Sequence, residues 1–419
     1  MYSIYSDETE FRLSRGKSNY LISEGRGIPS IVMYKKNTHH GVLYILDGKS
    51  YFVDKDRLTD KAHMSVSDIM ASTSAILGPL VDTRMRLYMK YKILRFPGMF
   101  NANMKKFKEL APIVDVAQKK MRFCDGCLWD QHGLASLIIG LQHEKIKRAN
   151  VILFTTESFA FQEWWMEDRK KHFIYPNCSL FQGKCKQHLK FTKQWKGNAY
   201  VNVYKDCVID KNNSLKSWLT DEIVINLFIV GIHTGYMNFI PFDKNTYRAY
   251  DQKIDEYLTE ILSEIKIHNF AVTESFGVCF AGGGSRTALL AMKSMCIVNK
   301  IRRPDVIAGC SGGGWGITMF YFYRMYPKKF VDILIENATL MMKNKHNKFV
   351  LNASRILEAG PVFETFIYIL PILGDFRYGW KEIVNKLVFG NSAIPHWNIF
   401  PSNVRLVFPT SLLCNSFEN

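Results

Sequence analysis

The chain has 419 residues and little cysteine: nine, an odd number, spread thinly. That excludes the dense disulfide framework of small secreted domains and points to reduced thiols in an intracellular setting. The first twenty residues, MYSIYSDETEFRLSRGKSNY, have early acids and no apolar core, which excludes a secretory signal. A clean membrane span is also missing. The twenty residues from Ile223 to Phe242 carry no charge and are long enough to cross a bilayer, but they include Asn226, His233, Thr234, Asn238 and Pro241, which are costly in hydrocarbon. This run reads as a buried strand or helix, and any membrane contact is expected to be peripheral. Internal repeats and low-complexity tracts are absent. With 47% hydrophobic and 22% charged residues the chain is an ordinary folded one with a sizeable core, long enough for two or three domains.

Acidic residues are the other shortage: 38 Asp and Glu against 55 Lys and Arg, a net charge of +17. From Arg169 to Lys205 there are none, while nine Lys and Arg residues fall there with Phe191 and Trp195 among them. Such a segment suits nucleic acid, an anionic membrane surface or an acidic partner, and composition does not choose between them. The same residues also describe a solvated basic face above some aromatic core.

Residues 30 to 54 alternate apolar and polar around a turn signal at Asp47-Gly48 and read as short strands. Residues 65 to 92 read as helical with a break at Gly78-Pro79. Residues 133 to 155 read as a helix followed by a buried strand, hence an α/β unit. The polar stretch 243 to 253 is turn-like and a plausible module boundary. After it Ile254, Tyr257, Leu258, Ile261, Leu262 and Ile265 recur at helical spacing.

Chemistry is concentrated between residues 276 and 326. The run FGVCFA leads into Gly282, Gly283 and Gly284 and then a helix-compatible segment; PDVIAG leads into Cys310-Ser311-Gly312-Gly313 and a second one. Two consecutive parallel strands would bring both turns to the carboxyl edge of one sheet, where α/β sites lie. The second turn fits G-x-S-x-G, a pattern that holds a serine on a sharp strand-to-helix turn and therefore needs small neighbours. The alternative is a tight turn whose serine only caps a helix. Three glycines in a row let backbone amides approach a ligand closely at a helix start, the arrangement of an oxyanion hole. A dinucleotide loop would need glycine where Thr287 stands, and no P-loop lysine is present.

AGGGSR followed by AGCSGGGWG resembles the catalytic core of the cytosolic phospholipase A2 and phospholipase B family, and more distantly patatin. Trp315 and the two glycines after Ser311 favour the phospholipase branch. The resemblance covers about fifty residues and does not reach the first 240. It implies Ser311 as the acylated nucleophile, Gly283 and Gly284 as oxyanion donors, and Arg286 steadying the substrate phosphate or the site. It implies no cofactor, and hydrolysis of a phospholipid or lysophospholipid ester by a Ser-Asp dyad. The partner aspartate is not identified. Asp332 and Asp375 do not match the family pattern, and neither His346 nor His396 replaces it, so the base is expected beyond residue 419, in a longer product.

The sequence therefore predicts an α/β protein. Residues 1–242 form a mixed α/β region of unassigned fold containing the basic segment 169–205; 243–269 form a linker and amphipathic helix. Residues 270–419 form the first part of a three-layer phospholipase A2/patatin-like acyl-hydrolase domain, incomplete within this chain. The expected setting is cytoplasmic and peripherally membrane-associated, on an anionic phospholipid surface. The alternative is a catalytically inactive basic module binding nucleic acid or anionic membrane on a hydrolase scaffold. Cys124, Cys127, Cys178, Cys185 and His188 are weak zinc candidates, their spacing departing from the usual knuckle.

Overall fold

The computed structural model describes residues 10–12, 20–23, 30–36, 39–46, 49–54, 70, 73–74, 99–100, 121–126, 130–143, 145–159, 162, 185–195, 199–209, 222–233, 244–267, 274–323, 332–333, 336, 404–412 and 414–415. Strands β1 (Glu10–Arg12) and β2 (Tyr20–Ser23) precede a meander of β3 (Ser30–Lys36), β4 (His39–Leu46) and β5 (Lys49–Asp54). The β4–β5 register closes with Leu46 opposite Lys49; Asp47-Gly48 lies outside the described residues. β6 (Met99–Phe100), β7 (Met121–Asp125), α1 (Leu134–His143) and β8 (Arg148–Thr155) follow. Next come α2 (Cys185–His188), β9 (Leu189–Trp195), β10 (Ala199–Ile209), β11 (Ile223–Ile232) and α3 (Lys244–Ile267). The chain continues through β12 (Ser275–Phe280), α4 (Gly284–Ile301), β13 (Val306–Gly309), α5 (Gly312–Tyr323), β14 (Arg405–Leu412) and β15 (Cys414–Asn415).

One mixed sheet of twelve strands runs β5-β4-β3-β14-β13-β12-β8-β11-β10-β9, with β7 pairing β14 and β6. From β14 to β11 all neighbours are parallel; β10 and β9 on one side and β3 to β5 on the other are antiparallel. The parallel strands are covered on both faces, which is why RANVILFT and IVINLFIVGI are nearly unbroken apolar runs. Alternate residues divide between the faces. Val151, Leu153, Cys279, Val306, Ala308 and Val407 pack under α1. Phe280 and Phe408 lie under α5, against Gly313 and Gly314, and Phe154 stacks on Phe280 with ring centroids 5.2 Å apart.

The α/β expectation holds. So do the helix and strand at 133–155; of the uncharged run, Ile223–Ile232 form a buried strand and 234–242 lie outside the described residues. Among the described residues no helix is long and apolar enough to cross a membrane. One expectation changes. Residues 244–253 are not turn-like but the first turns of α3, in which Arg248 and Gln252 are exposed, Tyr250 is buried and Asp251 pairs with Lys293. The parts drawn at 242 and 270 contribute strands to one sheet. β12, from the last part, hydrogen-bonds directly to β8 from the first. Backbone pairing is blind to sequence distance, so strand order cannot be read from where composition shifts. Of the 65–92 helical stretch only Met70, Thr73 and Ser74 are described; Gly78-Pro79 lies outside the described residues.

Candidate acyl-transfer site

β8 and β12 are neighbours, but the chain leaves β8 toward β11 and leaves β12 toward β13. Their carboxyl ends therefore form a topological switch point, the place where open α/β sheets bind ligands. Thr156, His233, the Gly282–Gly284 turn and Ser311 all follow strands at this edge.

The glycine turn is held from several sides. The Gly282 amide donates to the Gln131 carbonyl oxygen at 2.7 Å, and Gln131 Nε2 donates back to the Gly282 oxygen at 3.4 Å. That oxygen also accepts from Thr287 Oγ1 at 3.3 Å. Gly283 has φ +148° and Gly284 φ +64°, conformations that L side chains rarely adopt. A Cβ on Gly283 would also lie 2.8 Å from Thr156 Oγ1. Arg286 Nε donates to the Gly283 oxygen at 3.4 Å, so this arginine braces the turn. α4 starts here without a side-chain cap. Neither the Gly283 nor the Gly284 amide donates to another described residue. Two uncapped amides at a helix N-terminus are an anion site in chemical terms.

The serine turn lies against it. Cys310 donates its amide to the Phe280 oxygen at 3.0 Å, tying the end of β13 to the end of β12. A Cβ on Gly312 would sit inside the Gly284 carbonyl, 2.6 Å from its carbon and 2.9 Å from Gly284 Cα. The two turns thus touch backbone to backbone. Between Cys310 and Gly312, Ser311 has φ +49°, a left-handed conformation unusual for serine. It is 3% exposed, and α5 starts at the next residue. Trp315 is buried in the first turn of α5.

Several residues at this edge carry no local sequence signal. His132 Nε2 and Glu157 Oε2 are 3.0 Å apart, the imidazole fully buried and the carboxylate nearly so. His233 Nδ1 donates to the Thr156 oxygen at 2.9 Å. Asp130 Oδ2 accepts the Ser136 amide at 2.8 Å near the start of α1. Its Oδ1 has no hydrogen-bond partner among the described residues. Burial pushes the Asp130 carboxyl above the usual carboxylate range, opposed by its Ser136 hydrogen bonds and by His132. A carboxyl whose folded value is raised adds stability at low pH and loses it as pH rises through that value. Asp130→Asn keeps an acceptor for Ser136 and cannot ionise. It is expected to be more stable than the wild type at pH 7 by about 1 kcal/mol, the gap narrowing toward pH 4. Urea unfolding of both proteins across that range checks this, and a gap independent of pH would contradict it.

The zinc candidates are described only in part. Cys127 and Cys178 lie outside the described residues; Cys124 is on β7 and Cys185 begins α2. His188 Nδ1 donates to the Lys205 oxygen at 3.1 Å. Among the described residues no group of three His, Cys, Asp or Glu could hold a metal ion. Cys207 is a buried thiol that burial pushes up to about 12. Asp332 is exposed in a short helical piece, while Asp375, His346 and His396 lie outside the described residues.

The described part of the basic segment comprises α2, β9 and the first part of β10, and β9 ends the sheet among the described residues, where lysines discourage further pairing. Its Trp195 donates to Glu260 on α3 at 2.7 Å, and Lys193 lies over that indole and pairs with Glu264. Both side chains are engaged with α3. No protein-family model, no curated protein and no solved structure matches this chain.

Proposed function

We propose that the chain carries a serine acyl-hydrolase site acting on phospholipid or lysophospholipid esters. The observation that carries this reading is the left-handed Ser311 at a helix start, with its turn pressed on a second helix start whose glycine amides have no described acceptor. In this reading Ser311 Oγ attacks the ester carbonyl carbon and its proton passes to a base. The carbonyl oxygen becomes an oxyanion that accepts from the Gly283 and Gly284 amides. The C–O bond to the leaving alcohol then breaks as that alcohol takes the proton. Water releases the fatty acid from Ser311 in a second round of the same steps. The positive ends of α4 and α5 both favour the oxyanion.

Glu157 is paired with His132, and Asp130 accepts the Ser136 amide through Oδ2, its carboxyl raised by burial. The aspartate that the resemblance implies is assigned to a segment beyond residue 419. The net charge of +17 supports residence on an anionic lipid surface. Arg286 is assigned to bracing the oxyanion turn and to steadying a substrate phosphate.

A fluorophosphonate probe tests the reading. Full-length folded protein is expected to become labelled on Ser311, located by peptide mapping, and Ser311→Ala to stay unlabelled. Absence of labelling in the wild type, or equal labelling of Ser311→Ala, sinks it.

A further inference from the structure

Thr73 precedes Ser311 by 238 positions, yet it is seated on the serine turn. The Ser311 amide donates to Thr73 Oγ1 at 3.1 Å, and that hydroxyl donates to the Pro409 oxygen on β14 at 2.7 Å. A hydroxyl has one proton, so its direction is set: it accepts from Ser311 and donates to β14. The Thr73 methyl packs where a Cβ on Gly314 would come within 2.9 Å. Trp315 Nε1 is shared between the Met70 oxygen at 3.2 Å and Ser74 Oγ at 3.1 Å. Ser74 Oγ donates to the Met70 oxygen at 2.6 Å. Met70, Thr73, Ser74 and Trp315 are all fully buried.

We propose that Thr73 is a positioning residue for the nucleophile: by accepting the Ser311 amide proton it holds Ser311 in the left-handed conformation that aims Oγ. This rests on Ser311 being the nucleophile. A residue in a disfavoured backbone region stays there only when its surroundings over-determine it. For Ser311 the constraint acts on both flanking peptides. Its amide is fixed by Thr73, and its carbonyl oxygen accepts from the Trp315 amide at 3.1 Å. With both peptides held, little freedom remains for the dihedrals between them. Loss of the Thr73 hydroxyl frees one side, and the serine can relax toward the right-handed form of the helix that follows it. The region before residue 242 then acts in the site itself, through a side chain that the glycine-turn motif does not contain.

The test is the second-order rate of fluorophosphonate labelling of Ser311 in the full chain, expressed per folded molecule. Thr73→Val keeps the shape and removes both hydrogen bonds, and is expected to slow labelling about 10- to 100-fold, the usual consequence of a misplaced reacting group. Thr73→Ser keeps the hydroxyl and is expected to label within about threefold of the wild type. A merely structural role would lower stability while leaving the rate per folded molecule unmoved. Thr73→Ala is read in the same way should Thr73→Val unfold. Wild-type labelling with an undiminished rate in either hydroxyl-free variant overturns the positioning role alone. A folded wild type that does not label overturns the nucleophile reading and this role with it.

Discussion

Ser311→Gly is expected to abolish ester turnover and at the same time make the protein more stable. Removing a serine nucleophile from a hydrolase site costs on the order of a millionfold in kcat, leaving only binding and oxyanion contributions. The stability change has a separate origin. Ser311 has φ +49°, and a non-glycine residue in that region costs roughly 1–2 kcal/mol. Glycine adopts it freely but gives the unfolded chain more entropy, which takes back part of the gain. The net expectation is a stabilisation of about 0.5–1 kcal/mol, read as a higher urea midpoint at unchanged slope. Ser311→Ala provides the comparison. Alanine also lacks the hydroxyl but keeps the Cβ, so it should lose turnover without gaining stability. If the glycine variant is no more stable than the alanine one, the serine turn stores no strain and its conformation is not a functional device.

Gly312→Ala is expected to be among the most damaging single-methyl changes in the chain. The added Cβ would fall within the Gly284 carbonyl group, and no flexible side chain is there to move aside. One helix start must shift away from the other. Overpacking in a well-packed interior typically costs about 1–3 kcal/mol, and a backbone-on-backbone clash belongs at the upper end or above. The same displacement separates Ser311 from the Gly283 and Gly284 amides, and labelling per folded molecule should fall by about 100-fold. Gly316→Ala separates the two effects. Its Cβ would press on Ala291 Cβ at 2.6 Å and on the Ala288 oxygen, where α4 and α5 cross away from the turns. It should destabilise while leaving the labelling rate per folded molecule within a few-fold of the wild type. Equal rate losses in both variants would mean that the turn contact matters only for folding.

The aromatic and basic residues of β9 carry a lesson about composition. Lys193 and Trp195 are of the types that bind nucleic acid or lipid, and in isolation nothing in the sequence distinguishes that use from packing. In the fold both meet Glu260 and Glu264, one helical turn apart on α3. The acidic partners lie some seventy positions further along, so the segment looks uncompensated only when read by itself. The polar start of α3 was misleading in the opposite sense: Tyr250 is buried, but it gives too short an apolar stripe to announce a helix before Ile254.

What the sequence by itself determined is local. Two strand–glycine–helix units, the serine on a small-residue turn, the paired strands β4 and β5, and the buried strand from Ile223 are each encoded within a few neighbouring residues, because φ/ψ preferences and apolar periodicity act over that range. Only the tertiary structure decided which pieces meet. It placed β8 beside β12, laid Gly312 on Gly284, brought Gln131 to Gly282, paired His132 with Glu157 and set Thr73 under the Ser311 amide. None of these pairs is encoded by spacing. Each follows from strand order and from the burial of polar groups, which must find hydrogen-bond partners wherever the folded chain provides them.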